Sequence, residues 1–138
     1  MMHLEENKSA KSLTYHLEND LINLNEISLF LKDKLTDNEI VRVCIHANNE
    51  DLSHMMIIAI KKNYEMPLHK NPTKNKIYVI IEGEIEFTIE NKVIIAKTND
   101  IVKVDANHFM KQAALSDIAI YQEIIAGPFK NDTIYKGE

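Results

Sequence analysis

Three groups of residues carry side chains that could do chemistry. Arg42, Cys44 and His46 stand two apart in an alternating run, so a strand there sets all three on one face. A guanidinium on that face can fork around a carboxylate or phosphate, or form a salt bridge to an acidic neighbour. Cys44 between them reads as a buried, inert thiol. Lys76 and Tyr78 share the face of a second strand with Ile80. An ammonium pointing into a pocket can hold an anionic oxygen, and desolvation would lower its pKa. The plain alternative is an ion pair with Glu84 or Glu123, or a chain that snorkels outward. His69 titrates near neutral pH when unperturbed and can act as base or acid. Tyr78 is a candidate proton donor beside it, or a core tyrosine with a satisfied hydroxyl. No Gly-rich phosphate loop, Ser nucleophile motif or paired Cys ligands occur, which leaves hydrolase and NTPase readings without support.

Strands must position these groups. Ile27, Phe30, Leu31 and Leu35 recur at helical spacing, so the pattern predicts a helix over Asn25 to Leu35. Asn23 or Asn25 can cap it, and Thr36-Asp37-Asn38 ends it. Leu13 to His16 and Leu21 to Asn23 read as short strands. Beyond residue 38 the period changes to two. Ile40 to His46 puts Val41, Val43 and Ile45 opposite Arg42, Cys44 and His46. Asn48 to Ser53 reads as a turn, and Met55 to Ile60 as a strand buried on both faces, with the Met55-Met56 pair as core filling. Further strands are expected over Lys76 to Glu82, Ile85 to Ile89, Val93 to Ala96, Ile101 to Val104, Phe109 to Ala113 and Ile118 to Ile125. Glu82, Glu84 and Glu86 read as a solvated face. Many short strands with one leading helix imply an all-β sandwich or small antiparallel barrel.

The chain has 138 residues, a net charge of -5 and a single cysteine. That suits one domain over 13–138, with a polar, flexible N-terminus over 1–12. Fifteen of its 16 basic residues are Lys, scattered without a basic stripe, which argues against nucleic acid. Apolar runs are too short to cross a bilayer, and the start of the chain lacks a signal core. One cysteine excludes an internal disulfide, so a cytoplasmic location is expected.

Arg42 to His46, His54 to Ile58, Met66-Pro67-Leu68-His69-Lys70, Ile80 to Glu84 and Tyr121-Gln122-Glu123 with Gly127-Pro128-Phe129 resemble the WbuC family of cupin-fold proteins. The resemblance runs in order from about residue 14 to 133. It implies a cupin jelly roll, often encoded with genes for surface-polysaccharide synthesis. A typical cupin binds a metal through His-x-His, a later Glu and a last His. Here the resemblance sets His69 at the first position, Asn71 at the second, Lys76 at the Glu and Met110 at the last His. Gln122 replaces a His of the closing motif. Asn99-Asp100 stands for the usual Gly-Asp turn, and Asp105-Ala106-Asn107 for Pro-x-Gly. A Lys ammonium has no lone pair for a metal and repels a dication. Met110 is a soft ligand that suits copper(I) better than most divalent ions.

The expectation is a small-molecule-binding cupin of surface-polysaccharide or nucleotide-sugar metabolism that needs no cofactor. Arg42, His46, Asn71, Lys76, Met110 and Gln122 would bind an anionic sugar-like ligand. His69 as base and Tyr78 as acid would isomerise or epimerise it without a metal. One alternative is a non-catalytic accessory or regulatory cupin with a decayed site, where His69 is a relic hydrogen-bonded to Asn71. Another is a metallocupin whose divalent ion is held by His46, His69 and His108, His108 sharing the face of Met110. A homodimer is expected in either case, because edge strands and apolar faces are often covered by a second copy.

Overall fold

A computed structural model describes residues 2–9, 12–46, 53–126 and 133–137. The expected turn over Asn48 to Ser53 falls largely outside them. The described residues form, in order, β1 (Leu4–Ser9), β2 (Ser12–Leu17), α1 (Leu24–Lys34), β3 (Ile40–Cys44), β4 (Ser53–Lys61), β5 (His69–Lys70), β6 (Lys76–Glu82), β7 (Glu84–Ile89), β8 (Lys92–Lys97), β9 (Ile101–Val104), β10 (Met110–Ala114), β11 (Ile118–Ala126) and β12 (Ile134–Tyr135). They build a seven-stranded sheet, β1-β2-β3-β4-β11-β6-β9, and a five-stranded sheet, β12-β5-β10-β7-β8.

All strand pairs are antiparallel except β2 with β3, which α1 joins as a crossover. The helix forms where its apolar period demands. Asn23 is the cap, its Oδ1 accepting from the amides of Asn25 and Glu26 at 2.9 and 3.4 Å. Asn38 and Thr36 close the other end by donating to the carbonyls of Lys34 and Asp33.

The larger sheet is covered on both faces, so its strands carry two cores. Ile40, Ile58, Ile60, Tyr78, Ile80 and Tyr121 face the smaller sheet and pack on Ile85, Phe87 and Met110. Val41, Val43, Ile57, Ala59 and Ile120 face the other way, against Ile27, Leu31 and Leu35 of the helix. This explains the unbroken apolar run of β4, since its two faces pack into the two cores. The chain passes from one sheet to the other at Gly83, between β6 and β7. Its φ is +89°, and a Cβ there would sit 2.5 Å from Ser116 Oγ and 2.6 Å from the Ile118 carbonyl, so the crossing requires glycine. Asn99 and Asn107, where the resemblance led to glycine, both adopt positive φ, 76° and 66°. Asn tolerates that conformation better than most residues.

Two expectations are overturned. Leu4–Ser9 of the supposedly frayed N-terminus is a strand, paired with β2 from Leu4↔Leu17 to Ser9↔Ser12. Its backbone hydrogen bonds compensate for a side-chain pattern too polar to advertise it. Leu21 to Asn23 forms no strand, since the chain there turns into the helix cap and leaves Leu21 exposed. No helix among the described residues is long and apolar enough to cross a membrane.

Candidate functional site

A cleft of about 400 Å³ lies between the inner face of the larger sheet and strands β5, β10 and β12. The ladder fixes which side chains meet there. One cross-strand row runs His16, Cys44, Met56, Glu123, Tyr78. The next runs His54, Ile125, Lys76, with the His46 ring 3.9 Å from that of His54. The cleft thus has two polar sides, one on β5–β6 and one on β2–β4, with Met56 and Ile125 between them.

On the β5–β6 side, His69, Asn71 and Lys76 all line the cleft. The chain bends after β5, and the i, i+2 spacing keeps His69 and Asn71 on one wall. Lys76 is only 2% exposed, and its Nζ donates to Asn71 Oδ1 at 2.9 Å. Asn71 Nδ2 in turn donates to Thr133 Oγ1 at 3.1 Å. The His69 hydrogen bond goes to the Pro67 carbonyl at 3.0 Å rather than to Asn71. A carbonyl only accepts, so Nδ1 carries the proton and Nε2 keeps its lone pair. Burial, with Lys76 nearby, pulls the His69 pKa below 6.5 and holds the ring neutral near pH 7.

Tyr78 does not line this cleft. It is fully buried one layer down, and its hydroxyl donates to Glu123 Oε2 at 2.7 Å, with Met110 Sδ 3.5 Å away. Burial, reinforced by Glu123, drives the phenol pKa well above 10. The direct acid facing His69 expected from the sequence is therefore absent, and the carboxylate of Glu123 occupies the wall instead. Met110, at the position of the last His, pairs with His69 in the ladder, but it is a core residue with no exposed surface. Gln122 is misplaced by one position. Tyr121 and Glu123 face the cleft, so strand alternation turns Gln122 to the opposite face.

On the β2–β4 side, Arg42, Cys44 and His46 share the inner face as expected, and His16 of β2 and His54 of β4 flank them. The Arg42 guanidinium has no ion pair or hydrogen bond among the described residues, so the salt bridge offered as its plain role is not found among them. His46 Nδ1 is held by the backbone of Met55. Burial, with His46, Lys74 and His16 adding, pushes His54 down to about 4, and burial raises the Cys44 thiol to about 11. His108 is not part of this cleft. It is exposed, on the turn before β10, with Nδ1 3.2 Å from the Asp105 carbonyl and 3.1 Å from that of Ala106. It faces a separate groove beside Glu90 and Lys103. The positive φ of Asn107 breaks the alternation that would have set His108 on the face of Met110. The triad His46, His69 and His108 is therefore not assembled.

Among the cleft residues not singled out as site residues from sequence are Glu123, Tyr121, Gln112, His16 and His54. Glu123 and Tyr121 were signalled by alternation within the closing motif. Gln112 was signalled by its place two residues after Met110. It is buried, its Oε1 accepts from Tyr121 at 3.0 Å, and its Nε2 has no partner among the described residues. His16 and His54 carried no local signal, because only strand pairing brings them in.

No family model and no curated protein matches this sequence, so the resemblance noted above rests on its residues alone. Solved structures do match in fold. The DMSP lyase DddQ from Ruegeria pomeroyi is 18% identical with a TM-score of 0.63, over 76% of this chain and 56% of its own. Pac13 from Streptomyces, a nucleoside dehydratase, is 12% identical with a TM-score of 0.61, over 70% and 78%. KdgF from Halomonas sp. is 13% identical with a TM-score of 0.59, over 68% and 83%. These likenesses show a small all-β cupin sandwich. That fold implies a metal at the position of His69, and the residues present do not fit one. A buried ammonium stands where a carboxylate ligand belongs, bonded to the residue at the second ligand position.

Proposed function

We propose that this protein is a cupin of the WbuC kind, which binds a small anionic sugar-like molecule in the cleft and isomerises or epimerises it without a metal. The observation that carries this reading is the buried Lys76 ammonium. It supplies fixed positive charge at the centre of the site, where water competes little for an anionic oxygen. Arg42 lines the same cleft with no protein partner for its guanidinium among the described residues, which suits a carboxylate or phosphate. The open Nε2 of His69, the Gln112 amide and the Glu123 carboxylate suit the hydroxyl groups of a sugar.

In this reading His69 Nε2 removes a proton from the carbon beside a carbonyl. The C–H electron pair forms the new C–C double bond, and the carbonyl pair moves onto oxygen. Lys76 stabilises that oxyanion, which takes the proton of the hydroxyl on the adjacent carbon, and the imidazolium then protonates the former carbonyl carbon as the adjacent oxygen becomes the new carbonyl. Epimerisation needs a second proton carrier on the opposite face, for which Glu123 is the candidate, the Tyr78 hydroxyl holding its carboxylate in place. A cytoplasmic homodimer in surface-polysaccharide or nucleotide-sugar metabolism belongs to the same proposal. The exposed Val93, Ile95 and Ile101 give a second copy apolar surface to cover.

The test is a thermal-shift screen of sugar nucleotides and sugar acids, followed by turnover assays on each hit. A hit should raise Tm for the native chain, and Lys76→Met should lower its affinity at least ~30-fold. His69→Ala should keep the shift and reduce turnover about 100-fold or more. Equal shifts with and without Lys76 would defeat the proposal, as would a screen without hits. Hits that bind through Lys76 and never turn over would select the non-catalytic, accessory reading.

A further inference from the structure

We propose that His16, Cys44 and His46, on the β2–β4 side of the cleft, form a binding site for one thiophilic transition-metal ion, with zinc as the first choice. This inference stands independently of the sugar-binding reading, because it uses none of the residues on the β5–β6 side.

The geometry begins with the strands. Cys44 and His46 are two apart on β3 and so project from one face. The parallel pairing of β2 with β3 puts His16 directly opposite Cys44. One potential ligand atom from each residue lies within 4.8 Å of the other two. Around a tetrahedral zinc the ligand atoms stand roughly 3.3–3.8 Å apart. The trio therefore closes on an ion with about 1 Å of side-chain adjustment and no movement of the sheet.

The surroundings favour ligation over simple packing. Cys44 is 3% exposed and His46 is 7% exposed, so the protein covers most of both ligand side chains. His46 Nδ1 is 3.0 Å from the Met55 carbonyl and 3.2 Å from its amide. Binding at Nε2 selects the tautomer in which Nδ1 donates to that carbonyl, and a donor bond of this kind commonly orients a ligating imidazole. All three residues line the cleft, so a fourth position faces it and stays open to water or a bound molecule.

The donor set also names the class of metal. One thiolate and two imidazoles favour zinc and copper(I), and they disfavour magnesium, calcium and manganese, which prefer oxygen. Binding replaces the thiol proton with the metal. The proton leaves to solvent as the sulfur–metal bond forms, and no redox change takes place.

The experiment uses the full chain without an affinity tag, reduced and stripped of metal by chelation, and titrated with cobalt(II) as a spectroscopic stand-in. One equivalent should bind and give a thiolate-to-cobalt charge-transfer band in the near ultraviolet, which zinc then removes. Zinc should also raise Tm. Cys44→Ser should abolish the band. His16→Ala, at a half-buried position that the sheet can spare, should weaken cobalt binding at least tenfold while leaving the metal-free Tm close to the native value. His69→Ala and His108→Ala should leave both band and affinity unchanged. A folded native chain that gives no band overturns the proposal. So does a band that survives Cys44→Ser, or one lost with His69→Ala and kept with His16→Ala.

Discussion

The two sides of the cleft are made from the same material and differ in charge. Each presents a His two residues from another polar side chain, His69 with Asn71 and His46 with Cys44, on neighbouring inner faces of one sandwich. On the β5–β6 side the space among these groups is filled by an ammonium tied to Asn71. On the β2–β4 side the donor atoms of His16, Cys44 and His46 converge, and the Arg42 guanidinium lies along the same face. A positive charge built into a fold fits an anion, whereas converging lone pairs fit a cation. The histidines alone do not separate the two cases. What separates them is the third residue brought in by a neighbouring strand, Lys76 from β6 on one side and His16 from β2 on the other.

The largest effect should come from making the first side like a metal-binding cupin. Asn71→His, Lys76→Glu and Met110→His together supply His, His, Glu and His in the family's register. Expected is one equivalent of Mn(II) or Ni(II) on this side of the variant, bound at micromolar strength or better, about 8 kcal/mol, against no uptake there by the native chain. Metal analysis of the tag-free variant, shown to melt cooperatively, reads the outcome. If the native chain already takes up Mn(II) or Ni(II) through His69, the contrast between the sides is wrong. If the triple variant folds and binds none, Lys76 is not what excludes the ion.

A smaller effect is expected beneath the wall. The fully buried Tyr78 hydroxyl holds Glu123 with a 2.7 Å bond to a carboxylate oxygen at the cleft wall. Tyr78→Phe should cost roughly 2 kcal/mol, as befits a buried bond to a charged acceptor. That cost should appear as lower ligand affinity or turnover on the β5–β6 side, while the cobalt affinity of the other side stays within a factor of about two. A double-mutant cycle with Glu123→Gln should show strong coupling between the two residues. Additive effects would mean that Tyr78 is only core, without influence on the carboxylate.

These residues also mark how far the sequence could be read. Period-two alternation identified β3 and β7, with the shared face of Arg42, Cys44 and His46, and a continuous apolar run identified β4. The family-like register put His69, Asn71 and Lys76 on one wall, where the structure has them. Alternation holds only inside a strand, however. His108 lies across the turn at Asn107 from β10, so counting back from Met110 put it on the wrong surface. Gln122 was assigned from a motif when its neighbours, Tyr121 and Glu123, already implied the opposite face. His16 was out of reach for a different reason. Its approach to Cys44 depends on a parallel pairing made through α1, a long-range contact that no local pattern encodes. Leu4–Ser9 was missed because a strand at a sheet edge can be held by backbone hydrogen bonds with little apolar alternation.

The smallest effect is the one that pH reads. The His69 pKa lies below 6.5 chiefly because the ring is buried, and Lys76 lowers it further. A lowered folded pKa means that the unfolded chain takes the proton first as pH falls. The stability gained by keeping His69 neutral is thus complete above about 6.5, and it is lost as pH drops from there to the folded value. Urea midpoints measured from pH 7.5 to 5 should fall across that window, and His69→Gln should flatten this part of the fall. The rate should follow the same group. If His69 is the base, the acid limb of kcat/KM lies below 6.5, where its conjugate acid forms. Lys76→Met removes one of the contributions that lower the pKa and leaves the burial, so the limb should move up toward 6.5 without reaching it. A limb that ignores Lys76 would mean that the ammonium does not act on the imidazole, and the β5–β6 side would then be two separate polar groups rather than one charged site.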